Sequence, residues 1–121
     1  MKQTLAQQRA ANALKAARID GMGHGKDGGN ALSGFPVLIK TDGALAAFAF
    51  AIERKPNKEL KQRGANLIVG AVAKHLQSLK IVDAQNADDL VEELAHGDAS
   101  LLRRATAESL AFLNYLKRFV A

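Results

Sequence analysis

The chain has 121 residues, of which 48% are hydrophobic, a size that suits one compact core and is too short for two. It has no cysteine, so disulfides and thiolate metal sites are excluded, and its formal charge of +5 favours an anionic partner. The longest apolar run, Ala44 to Ile52, is nine residues, far below the roughly 20 needed to span a bilayer, and Met1 to Ala17 lacks the apolar stretch of a signal peptide. A cytoplasmic protein with no membrane partner is expected.

Lys2 to about Ile19 is rich in Ala, Gln, Leu, Lys and Arg, all strong helix formers, and is read as a long first helix. Ala6, Ala10, Ala13, Leu14 and Ala17 make its main apolar seam. Leu5, Ala16 and Ile19 lie nearly opposite, beside Arg9 and Asn12. Two weak stripes suggest a helix gripped from two sides, by its own core and by another subunit.

Residues 20–30, DGMGHGKDGGN, read as a flexible Gly-rich connection. They fail as a phosphate loop, because Asp20 stands where the first glycine is required and Asp27 follows Gly25-Lys26 where Ser or Thr is required. Next comes a short apolar element, Phe35 to Ile39, with Pro36 suited to a first helical turn. Thr41 or Asp42 would cap a helix from Gly43 to Arg54, in which Leu45, Phe48, Phe50 and Ile52 fill the core.

Arg54 to Arg63 is the densest basic stretch, broken by Pro56 and Asn57. A helix from about Glu59 to Lys80 follows, with Leu60, Leu67, Ile68, Ala71, Val72, Leu76 and Leu79 in register and His75 beside the stripe. Asn86 caps a short helix whose positive end favours Asp88 and Asp89, and Gly97 stops it. Asp98 then starts the last helix. No strand is expected, so the fold class is all-α: a single compact bundle of about six helices over 1–121.

The last helix is the most informative. Its inner stripe is Leu102, Ala105, Ser109, Phe112, Leu113, Leu116 and Val120. The opposite arc carries Arg103, Arg104, Ala107, Ala111, Asn114 and Arg118, with Lys117 at its border and the only acid, Glu108, to one side. Cations without acidic partners are good phosphate ligands and poor stabilisers. Along the chain, residues 1–80 have net charge +8, residues 81–102 have six acids and no base, and residues 103–121 are net +3. This dipole suits head-to-tail stacking of copies as well as nucleic acid.

No catalytic constellation is present: His24, His75 and His96 have no metal-ligand spacing, and Asp88-Asp89 and Glu92-Glu93 sit at a solvated helix start. No enzyme activity, metal or cofactor is expected.

Three segments together carry a resemblance: MKQTLAQQRAANA at the start, FPVLIKTDGALAAFAF at Phe35 to Phe50, and RRATAESLAFLNYLKRFV at Arg103 to Val120. In this order they resemble the small all-helical subunit of the type III-B CRISPR-Cas effector, the Cmr complex. Tyr115 stands where that family more often has tryptophan, and the Gly-rich 21–29 replaces a more charged linker. The resemblance implies a non-catalytic antiviral-defence subunit. Several copies would stack beside the backbone subunits and line the groove holding guide RNA and target RNA.

Recognition would then be independent of sequence, since base pairing reads the target and protein cations hold the backbone. The candidate RNA-binding residues are Arg9, Lys15 and Arg18 on the first helix, Lys40, the corner residues Arg54, Lys55, Lys58 and Lys61, and Arg103, Arg104, Lys117 and Arg118. Two rival readings are a free-standing DNA-binding regulator with a recognition helix in 54–80, and a pure protein adaptor. Against the first, Leu67 to Ala73 is too apolar to lie in a major groove.

Overall fold

The computed structural model describes residues 2–120, and the backbone alone over 25–28, so the side chain of Lys26 lies outside the described residues. Six helices form: α1 Leu5–Ala17, α2 Gly25–Asp42, α3 Ala44–Ala51, α4 Arg63–Ser78, α5 Ala87–His96 and α6 Ala99–Phe119. Among the described residues the one β feature is an isolated antiparallel bridge between Arg54 and Leu60. The all-α bundle expected from the sequence is the fold observed. One continuous core draws on every helix, with Ala13, Phe35, Phe48, Val72, Leu90 and Phe112 among its members.

Helix α1 opens with a capping box: the Gln7 amide donates to the Thr4 hydroxyl at 3.1 Å, and the Thr4 amide donates to Gln7 Oε1 at 2.8 Å. Its buried face is not the expected alanine seam. Ala13 and Ala16 are buried while Leu14 is 43% exposed, so the inner face runs Arg9, Asn12, Ala13, Ala16, between the two stripes seen in the sequence. The helix has rotated to bring two polar side chains inward, because both find partners on α4 and α6.

The Gly-rich segment is shorter and more structured than a connection over 20–30. The chain turns through 20–23 and is helical from Gly25. Gly23 has φ +68, and a Cβ there would lie 2.8 Å from both Leu32 and Val120, while Met22 beside it is fully buried. These glycines make a tight packed turn. Helix α2 then runs through Pro36, which was expected in a first turn, and buries Leu32, Phe35 and Ile39. Packing of that face against α4 outweighs the poor helix propensity of Gly and Pro.

Gly43 (φ +94) separates α2 from α3 and takes the capping position expected of Thr41 or Asp42. The Thr41 hydroxyl donates back to the Val37 carbonyl instead, at 2.8 Å. Helix α3 is only eight residues long. Ala44, Ala47, Phe48 and Ala51 are buried in it, but Phe50, expected in the core, is 41% exposed.

Residues 53–62 form a loop, and α4 begins at Arg63 rather than Glu59. The Lys55 amide donates to the Glu59 carbonyl and the Lys61 amide to that of Glu53, which folds the basic stretch on itself. Helix α4 is the centre of the bundle, with Ile68, Val69, Val72, Ala73, His75 and Leu76 almost wholly buried and Leu67 turned outward. Asn86 and Asp98 cap α5 and α6 as expected, accepting from the amides of Asp89 and Leu101 at 2.8 Å each.

Candidate nucleic-acid interface

Helix α6 divides as its periodicity requires. Ala105, Ser109, Phe112, Leu113 and Leu116 are buried, and Arg103, Arg104, Ala107, Asn114, Lys117 and Arg118 are exposed. Two ion pairs form among the described residues, Arg9 with Glu108 and Arg54 with Asp88, and His75 makes a hydrogen bond to Glu108 as well. The four α6 cations take part in none of them. Lys117 and Arg118 lie in the last turn, where the negative end of the helix favours cations. Arg103 and Arg104 lie in the second turn, where the helix dipole offers a cation nothing.

The largest departure from the sequence reading is Glu108, which is buried rather than off to one side. Arg9 grips it with both arms of its fork, Nε to Oε2 at 2.7 Å and Nη2 to Oε1 at 2.8 Å. His75 lies 2.9 Å from Oε2 through Nε2, and an ionised carboxylate only accepts, so Nε2 carries the proton. Nδ1 then accepts from the Asn12 amide at 2.9 Å. Asn12 also donates to the Ser78 hydroxyl, which donates to the His75 carbonyl. The imidazole stacks on Phe112 with ring centroids 4.5 Å apart. No fully buried side-chain nitrogen or oxygen among the described residues lacks a partner.

Burial pushes the Glu108 carboxyl up, but the hydrogen bonds from Arg9 and His75 outweigh it and hold the group below its ordinary 4.5. For His75, burial dominates over the attraction of Glu108 and lowers the imidazole below 6.5. The cluster is therefore a neutral histidine and a carboxylate neutralised by one arginine. It ties α1, α4 and α6 together.

Of the candidate cations, Lys15, Arg18, Lys40, Lys55, Lys58, Lys61, Arg103, Arg104, Lys117 and Arg118 are exposed and form no ion pair among the described residues. Arg9 and Arg54 are engaged by Glu108 and Asp88. The fold brings Arg9 and Arg104 into one cleft between α1 and α6, joined there by Lys80. Lys15 shares a second groove, between α1 and α4, with Lys74. Lys40 lines neither, and the 54–61 corner stands apart on its own loop. Sequence reasoning did not single out Lys74, Lys80 or Glu108 as site residues. For Glu108 the available signal was a lone acid on a helix otherwise rich in cations.

Among the described residues no group of three His, Cys, Asp or Glu side chains could hold a metal ion, and no helix is long and apolar enough to cross a membrane. The described residues form a small all-α bundle that turns a cationic helix face outward. The family model for the CRISPR-associated protein (Cas_Cmr5) matches residues 5–121, and the chain belongs to that family. It is thus the small, non-catalytic helical subunit of a type III CRISPR-Cas effector complex.

A solved structure described as a CRISPR-associated Cmr5 family protein from Thermus thermophilus is similar over 98% of this chain and 96% of its own, with TM-score 0.71 and 23% sequence identity. That likeness bears on the fold. Comparison with curated proteins gives no match. Family membership overturns the free-standing regulator, and the burial of Ile68, Val69, Ala71, Val72 and Ala73 removes the face a recognition helix would need.

Proposed function

We propose that several copies of this subunit stack beside the backbone subunits of the effector and hold the guide and target RNA by their phosphates. The observation that carries this reading is the outer face of α6, where Arg103, Arg104, Lys117 and Arg118 are exposed and without acidic partners among the described residues. Charges so placed stabilise the isolated fold little and bind a polyanion well. The exposed apolar side chains of α1 and its C-terminal turn, Leu5, Leu14 and Ile19, supply a second surface for neighbouring subunits. Recognition is independent of sequence, since backbone cations carry no base information.

The test is the triple variant Arg103→Glu, Arg104→Glu, Arg118→Glu, assembled into the effector complex. All three side chains are exposed, so the circular dichroism and melting of the variant should match the parent. RNA affinity of the complex should fall about tenfold or more at moderate salt. Unchanged RNA affinity together with lost docking of the subunit would instead establish a protein adaptor.

A further inference from the structure

We infer that the cleft between α1, the C-terminal end of α4 and α6 is a phosphodiester site, held by Lys80 and Arg104 with Arg9 as an oriented third donor. This rests on the RNA reading above and names where on the subunit a backbone phosphate is gripped. The cleft brings Arg9, Lys80 and Arg104 together, with Leu5 and Ile81 also in its lining. Its one acid is Glu108, whose charge is already met by Arg9. With His75 neutral, the cleft keeps a net charge of two positives for an incoming anion.

Lys80 supplies an independent observation. Helix α4 ends in a Schellman motif: the Lys80 amide donates to the Gln77 carbonyl at 2.9 Å and the Ile81 amide to that of Leu76 at 3.0 Å. The residue at the left-handed position of such a motif is usually glycine, because a Cβ costs about 1 kcal/mol there. Here it is a lysine, at φ +61. Strain of this kind is concentrated at active sites and ligand clamps, and among the described residues the only other non-glycine residue that carries it is Lys58, at φ +69. What Lys80 gains is a place on the wall of the basic cleft.

The buried cluster gives Arg9 its role. With Nε and Nη2 turned to Glu108, the two N–H groups of Nη1 are unspent, and the Arg9 side chain is 25% exposed. Glu108 is fixed in turn by His75, and His75 by Asn12 and Phe112. Arg9 is thus aimed before any anion arrives, and little side-chain entropy remains to be lost on binding.

The experiment uses the full chain and an unstructured oligouridylate as probe, with polyglutamate in a parallel titration. The variants are Lys80→Gly, Arg104→Ala and, far along α6, Arg118→Ala. Lys80→Gly should melt at the same or a higher temperature, since glycine relieves the left-handed position, and yet bind oligouridylate about threefold to fivefold more weakly. Its log-log salt slope should be shallower by about 0.7. Arg104→Ala should weaken binding similarly.

A lysine kept only for folding would give the opposite pattern, with a lower melting temperature and unaltered RNA binding. If Arg118→Ala weakens RNA binding while Lys80→Gly and Arg104→Ala do not, the cleft assignment falls and the RNA reading stands. If none of the three alters RNA binding, both fall. Polyglutamate binding that depends on Lys80 and Arg104, with oligouridylate indifferent to them, would make the cleft a dock for an acidic protein segment and overturn the assignment.

Discussion

Arg9, His75 and Glu108 come from three helices and are 99 and 33 residues apart in the pairs they form with Glu108, so their association is wholly a product of the fold. Removing Arg9 leaves a buried carboxylate with the imidazole as its remaining charge-assisted partner. Arg9→Ala should therefore cost about 2 kcal/mol in urea unfolding, less than a fully buried pair because the guanidinium is partly exposed. Glu108→Gln keeps an acceptor for His75 and frees Arg9 to reach water, so it should cost less. Equal losses would mean that the pair is not coupled as its geometry implies.

The same cluster sets a pH dependence. His75 is held below 6.5 in the folded chain, so just under that pH the unfolded chain binds more protons than the native one. Stability is complete above pH 6.5 and declines as pH falls through the depressed native value. Glu108, also lowered from 4.5, adds a second decline below that pH with the same sign. Unfolding free energies measured from pH 4 to 8 should fall towards acid, and His75→Gln should flatten the upper limb. An identical upper limb in the variant would show that other groups carry the dependence.

At the level of the helix, Asp98 and Asn86 make two separate and testable caps. Asp98→Ala should destabilise by about 1 kcal/mol and speed amide exchange in the first turn of α6, with the rest of the bundle unaltered. Gly23→Ala is a different case: φ +68 is unfavourable for alanine and its Cβ would press on Leu32 and Val120. It should lower the melting temperature more than Asp98→Ala does, although both lie outside the regular core.

These two sites also show what was legible in advance. Asp98 and Asn86 were readable because a cap acts on its neighbours in sequence, and the inner stripe of α6 was readable because its apolar positions agreed on one face. The course of 20–30 was not, because the side chains packed around the Gly23 turn are Leu32 and, from far along the chain, Val120. The inner face of α1 was misread for a related reason. Arg9 and Asn12 look like surface residues until Glu108 and His75 are placed opposite them. For the candidate interface, the four α6 cations could be seen in the sequence, whereas the gathering of Arg104 with Arg9 and Lys80 could not.

For the molecule as a whole, the positive charge is spread over exposed side chains of several elements while the acids gather between 81 and 102. A lone copy that engages about three phosphates of single-stranded RNA should lose affinity with a log-log salt slope near −2. Such binding is weak at physiological salt. Stacked copies present their cations to one continuous strand, and each added copy binds at the high effective concentration set by its neighbours. The slope should therefore steepen in proportion to the copies engaged, and affinity should climb faster than copy number. Filter binding of one RNA to the isolated subunit and to the assembled particle, across 50 to 400 mM salt (about 14 to 5 Å in screening length), measures both quantities. If the particle's slope is unaffected by whether this subunit is included, its cations do not face the RNA, and its contribution to the effector is made through protein contacts alone.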